Sequence, residues 1–235
     1  TSINATLCSN DGEAAEQGNL IGFNGRNGVR LGDKCDDCFV KSNIIGTNKD
    51  FTLDLGNGEE GIYVHASLQN SVIGGAQIEH GNTIMFNKEG GIIIDGLFCF
   101  GPTNCAKTRV PQNNYLIQQN TVSQNSLFGI QVLATEMPDP ADSGSGSILD
   151  NIVTENIGDG ILVDTSSPVI RSNTLEGNTG AGILIQSGFV DPDYTAPENG
   201  TGGTFELSQT ILSQPTITSN TIETNENGGV LSVHA

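Results

Sequence analysis

The chain has 235 residues, with 9 Lys plus Arg against 27 Asp plus Glu, for a formal net charge of −18. That balance excludes a phosphate-backbone binder, which needs clustered basic residues, and fits a well-solvated extracellular surface. No apolar run approaches the roughly 18 residues that cross a bilayer, and no charged-then-apolar leader opens the chain, so Thr1 reads as a processed start.

Residues 1–18 read as an N-terminal cap or partial coil, with Gly12 to Gln17 as a short helical turn. From residue 19 one pattern repeats. It is an Asn, an aliphatic residue two places on, and a second Asn at five. The first Asn residues are Asn19, Asn43, Asn82, Asn120, Asn151, Asn173 and Asn220, and each second Asn is followed four residues later by Gly and then Ile or Val. One coil departs. Nine extra residues, 49–57, delay its Gly61-Ile62, and Asn57 takes the place that Asn48 would hold. The clearest copy runs from Asn151 to Val163.

Ile161 and Val163 are two apart and share one face of a strand. Gly160 is expected to permit a positive-φ turn. Asn tolerates the same region and can bond backbone groups through its amide. Stacking the coils places each Asn above the last in a ladder. Frequent Gly and Asn with alternating β-branched residues exclude helix. The fold class is therefore all-β: a single-stranded right-handed parallel β-helix of about seven coils over residues 19–235, each near 22 residues. At about 4.8 Å per coil it forms a rod of about 34 Å, and its crossovers are right-handed.

The intervals between first Asn residues are 24, 39, 38, 31, 22 and 47. Apart from 49–57, the excess follows the Gly-Ile-x-Val strand, near 66–74, 95–114, 133–147 and 187–214. Insertions at one position per coil lie on one side of a solenoid and mark its binding face. Most of the prolines fall there, as expected of irregular segments.

The five cysteines are Cys8, Cys35, Cys38, Cys99 and Cys105. Cys35-Asp-Asp-Cys38 has no second Cys-x-x-Cys to complete a zinc site. One or two disulfides in a secreted chain is the expectation, with pairing open and one thiol left over.

The Asn-x-Ile-x-x-Asn-x4-Gly-Ile-x-Ile repeat resembles secreted right-handed parallel β-helix proteins of the pectin-lyase-like kind. Their repeats occur in polysaccharide lyases, pectin hydrolases, alginate epimerases, periplasmic maturation factors and large bacterial surface proteins. The resemblance implies the fold and leaves the chemistry open. The chain has no Gly-His-Gly, Arg-Ile-Lys, Asn-Thr-Asp or Asp-Pro-His-Glu, and no tryptophan. Glu79-His80-Gly81 reads as a turn before Asn82.

Aligning the coils suggests a catalytic patch of Arg30, Tyr63, His65 and Asp95. An Arg could neutralise a uronate carboxylate while a Tyr or His moves a proton. Lys107, Arg109 and Tyr194 are binding candidates on the adjoining insertions. Ile93, Leu162 and Leu184 form an outward apolar stripe, expected to be covered by the 187–214 insertion or by a partner. Asp191, Asp193 and Glu198 offer oxygen ligands for calcium; no other cofactor is implied. Asn4 and Asn199 begin glycosylation sequons.

The last coil reads as uncovered, so further coils or other copies of the chain are the expected partners, with glycans as the other class. Nucleic acid and a membrane span are not expected. The leading functional expectation is a non-catalytic extracellular structural or adhesive module of a surface or filament protein. The alternatives are a polysaccharide lyase or epimerase acting on acidic glycans, and a glycan-binding module without turnover.

Overall fold

The structure is a computed structural model describing residues 18–32, 37–65, 70–99, 107–109, 115–133, 146–190, 209–211 and 213–234, with backbone alone at 97–99, 107–109, 188–190, 209–211 and 234. The chain winds through seven coils and deposits strands on three parallel sheets. The first sheet takes the residues after each first Asn, from Leu20–Ile21 through Ile152–Thr154 to Thr221–Glu223. The second takes the residues after each Gly, from Val29–Leu31 through Ile161–Asp164 to Val230–His234. The repeat pattern located these two.

A third sheet, which the pattern did not locate, closes the first six coils. Its strands are Phe39–Val40, Val72–Gly74, Leu116–Gln118, Ser147–Leu149, Val169–Arg171 and Thr216–Thr218. Intervals taken as insertions therefore end in, or run up to, a third strand. The insertion after the third coil also carries an antiparallel pair, Leu97–Cys99 with Lys107–Arg109. The insertion after the sixth coil begins as an extension of its own strand, Ile183–Val190, paired with Gln209–Ile211.

Registers are unbroken along the axis. Ile62, Ile92, Ile130, Ile161 and Ile183 pair in sequence, as do Val64, Ile94, Val132, Val163 and Ile185. Each points inward and is buried. With Ile45, Ile84 and Val122 from the first sheet and Ile73, Ile117 and Ile148 from the third, they form one continuous core. Each such side chain contributes about 1.5–3 kcal/mol on burial.

The corners between sheets are made by asparagine. Two ladders run the length of the rod, one at the first Asn of each coil and one at the second. In the first, Nδ2 of Asn43, Asn82, Asn120 and Asn151 donates to Oδ1 of the Asn on the next coil at 2.9–3.0 Å. The second ladder passes from Asn24 through Asn57 to Asn87 at 2.8 Å per step, so Asn57 does take the rung. Asn48 instead accepts from the Thr52 and Leu53 amides and closes the inserted turn.

Two expectations about backbone conformation are corrected. The left-handed residue is the one just before the Asn, as at Gln119, Gln124, Asp150, Glu155 and Ser172, with φ between 54° and 62°. Gly160 is not among the positive-φ residues; there glycine is required by close approach. A Cβ on Gly160 would lie 2.7 Å from the Gly182 carbonyl oxygen and 3.0 Å from Asn178 Nδ2.

Each interior rung is fully used. Asn120 Oδ1 accepts the amide and side chain of Asn82, while its Nδ2 donates to Asn151 and to the Ile73 carbonyl. Replacing Asn120 by Ala leaves several buried polar groups without partners, each costing about 1–3 kcal/mol. Asn120→Ala should therefore lower unfolding free energy by at least about 3 kcal/mol, read as a reduced urea midpoint, whereas Thr121→Ala on the same corner should change it by less than about 1 kcal/mol.

Candidate functional site

The second sheet turns its other face outward, and here the sequence-predicted patch comes together. Arg30 pairs with Tyr63 and Tyr63 with Ile93, while His65 pairs with Asp95. The Tyr63 hydroxyl donates to Asp95 Oδ2 at 2.8 Å. The Arg30 guanidinium carbon lies 5.0 Å from the centre of the Tyr63 ring. The His65 ring meets Tyr63 edge-on, with centroids 5.9 Å apart and planes at 63°. All four are delivered by three successive coils because alternate strand residues face the same way.

Tyr63 is half-buried, and burial is the first cause holding its phenol above the ordinary tyrosine range. The charge on Asp95 and the hydrogen bond to it push the same way, and Arg30 opposes them. The phenol is therefore protonated across neutral pH. Chemically it is a held proton donor, beside a fixed cation, an imidazole and a carboxylate.

Three residues before Tyr63 sits a group the sequence reading missed. Glu60 is only 8% exposed and accepts from Asn27 Nδ2 at 2.5 Å. Its carboxyl is pushed up to about 7, by burial first and then by hydrogen bonding to and repulsion from Glu89, with Glu59 adding to it. The nearby Arg26 is engaged by Glu59, its Nε lying 2.9 and 3.1 Å from the two carboxylate oxygens. The available signal was the coil alignment, which sets Glu59-Glu60-Gly61 beside Glu89-Gly90-Gly91.

The outward stripe is present but is not an exposed one. Ile93 is 8% exposed and buried, and Leu162 and Leu184 are half-buried. The Lys107–Arg109 strand lies alongside Ile183–Val190, so a hairpin from the third coil reaches the sixth. The side chains of Lys107 and Arg109 are outside the described residues. So are Tyr194, the calcium candidates Asp191, Asp193 and Glu198, the cap at residues 1–17, both sequons, and Cys8, Cys35 and Cys105; at Cys99 only the backbone is described. Among the described residues no cluster of three His, Cys, Asp or Glu could hold a metal ion, and no helix is long and apolar enough to cross a membrane. Glu79 and His80 lie in a short 3-10 turn, Ile78–His80, before Asn82.

Residues 4–193 and 111–235 match the family described as right handed beta helix region. The chain belongs to this family. No curated protein sequence matches this β-helix. Among solved structures it resembles the periplasmic alginate epimerase AlgG, with a TM-score of 0.51 and 16% identity over 92% of this chain and 44% of that one. It also matches the A-module of the Azotobacter vinelandii mannuronan C-5 epimerase AlgE6, with a TM-score of 0.37 and 14% identity over 88% of this chain and 58% of that one. The chain spans less than half of the AlgG chain and under two thirds of the AlgE6 module. At 16% identity the likeness to AlgG is one of fold.

Glu60 gives a pH prediction whose sign follows from the raised pKa. The folded state holds its proton more tightly than the unfolded state, so this stabilisation is complete below about pH 4.5 and is lost as pH rises to about 7. Calorimetric scans should show Tm falling across that window. Glu60→Gln should flatten the profile and raise Tm at pH 8.

Proposed function

We propose that this β-helix is an extracellular or periplasmic carbohydrate-active domain. It carries out lyase or epimerase chemistry on uronate-containing polysaccharide at Arg30, Tyr63, His65 and Asp95. The observation that carries the reading is the Tyr63 hydroxyl bonded to Asp95 with Arg30 over its ring. A proton donor and a fixed cation stand together there on an outward sheet face. The fold likeness to a periplasmic alginate epimerase is consistent with this, but the site has to stand on its own residues.

Uronate chemistry begins by making the hydrogen at C5 acidic. Arg30 pairs with the sugar carboxylate and stabilises the charge that spreads into it when that proton leaves. His65 accepts the C5 proton. In elimination, the electron pair released at C5 forms the C4–C5 double bond, the bond to O4 breaks, and Tyr63 protonates the departing oxygen. In epimerisation, Tyr63 returns a proton to C5 from the opposite face. Asp95 is a positioning residue in both, fixing the phenol's direction. Cys38 is buried in the core and carries a disulfide bond, which supports an oxidising compartment.

The enzyme reading is tested by incubating acidic polysaccharides with the protein in deuterated water. Unsaturated products are followed by absorbance and C5 exchange by NMR. Tyr63→Phe should reduce turnover by on the order of 10²- to 10⁴-fold with binding retained, and His65→Ala by a similar factor. Full activity in both variants would sink the site assignment.

A further inference from the structure

Glu60 stands outside the patch of Arg30, Tyr63, His65 and Asp95, yet the coils bring it to the same face. Backbone hydrogen bonds set Asn27, Glu60, Gly90 and Phe128 in sequence along the axis, one on each of the first four coils. On one side of Glu60, Asn27 Nδ2 donates to its carboxyl. On the other, Gly90 makes room for an aromatic ring: a Cβ there would lie 2.0 Å from Phe128 Cε2. The carboxyl is buried between them. Gly61 and Ile62 then turn inward. Ile62 is in the core, and a Cβ on Gly61 would lie 2.4 Å from Ile84 Cγ2. Glu60 and Tyr63 thus flank an inward pair, and the Glu60 charge acts on the Tyr63 phenol, helping to raise it.

Among the described residues, the charged or titratable groups on the stretches stacked around Glu60 are six. They are Arg26 and Arg30 on the first coil, Glu59 and Tyr63 on its own, and Lys88 and Glu89 on the next. Arg26 is engaged by Glu59, and Lys88 Nζ lies 2.9 Å from Asp54. Arg30 is drawn to the Tyr63 ring. That leaves Glu60 facing Glu89, to which it is hydrogen-bonded. Two carboxyl groups can bond to each other only while one of them carries a proton. Once that proton leaves, a buried negative charge stands beside the ring over which Arg30 would receive an anionic sugar.

We propose that Glu60 is a specificity-determining residue of the Arg30 site: it admits a uronate carboxylate while it shares a proton with Glu89, and repels one when that proton is lost. This rests on the uronate-directed reading of the Arg30 site. The carboxyl titrates at about 7, so it is neutral in mildly acidic solution and charged in mildly alkaline solution. Anion binding and protonation of Glu60 are then reciprocal, each favouring the other.

The test measures binding rather than turnover. Oligomannuronate and oligogalacturonate are titrated calorimetrically into the whole chain between pH 5.5 and 8.5 at constant ionic strength. Affinity should fall about tenfold across that range, the order expected of one like charge near a protein surface. At pH 7, binding should take up protons, read from the dependence of the heat on the buffer's ionisation enthalpy. Glu60→Gln should hold the acidic-pH affinity up to pH 8.5 and take up none. Glu89→Gln removes a repulsion that raises Glu60, so the fall should move to lower pH. His65→Gln should keep the fall whatever its absolute affinity. Circular dichroism checks the fold of each variant; if Glu60→Gln does not fold, the Glu89→Gln shift and the wild-type proton uptake decide. A fall unchanged in Glu60→Gln, unmoved in Glu89→Gln, or abolished by His65→Gln would overturn the inference, and the uronate site would stand if Arg30→Ala still weakened binding. No binding at any pH, or binding indifferent to Arg30→Ala, would overturn both.

Discussion

Everything in this molecule hangs on a buried primary amide that can satisfy itself only by repeating. An Asn side chain has two donor hydrogens and an acceptor oxygen with two lone pairs. At a corner of the coil, all of these are turned away from water. The arrangement works because Oδ1 takes both the backbone and side-chain N–H of the neighbouring coil, while Nδ2 gives one hydrogen to the next amide and one to a backbone carbonyl. No single coil can do this alone. The ladders therefore fix the register between coils, and the register determines which side chains stand next to each other on the outside.

That constraint explains why a site can form from residues more than thirty positions apart. Tyr63 and Asp95 meet because their inward neighbours Val64 and Ile94 are locked in register, and a slip of one residue would send both to the opposite face. It also explains how a carboxyl such as Glu60 comes to be buried. The coil path places it between Asn27 and the next coil's Gly90, where a Cβ would run into the Phe128 ring. The proton Glu60 retains follows first from that burial, and then from Glu89 stacked on the next coil and the adjacent Glu59.

The two outward columns of the second sheet thus divide the rod's side into a chemically dense end and a plainer floor. At the first three coils, a cation, a phenol, an imidazole and a carboxylate are gathered. Further along, apolar and amide side chains alternate with Asp164. The asymmetry is a property of one face, set against a chain whose overall charge is strongly negative.

Much of this was legible in the residues. The period of Asn, Gly and aliphatic positions specified the coil, the inward stripes, the ladder and the slip at Asn57. It also put Arg30, Tyr63, His65 and Asp95 on one face, because alternation and register are arithmetic on a regular strand. The third sheet was not legible. Its strands, such as Val72–Gly74 and Ser147–Leu149, share no repeated Gly or Asn position and follow insertions of unequal length. Nor did the sequence reveal that the left-handed residue precedes each Asn, or that Gly160 is dictated by a neighbouring carbonyl. Glu60 was not singled out at all, and Ile93 read only as part of an outward stripe awaiting a cover. Only the stacked structure made them buried, since burial depends on what the adjacent coils bring over a residue, and that is not a property of the residue's own repeat.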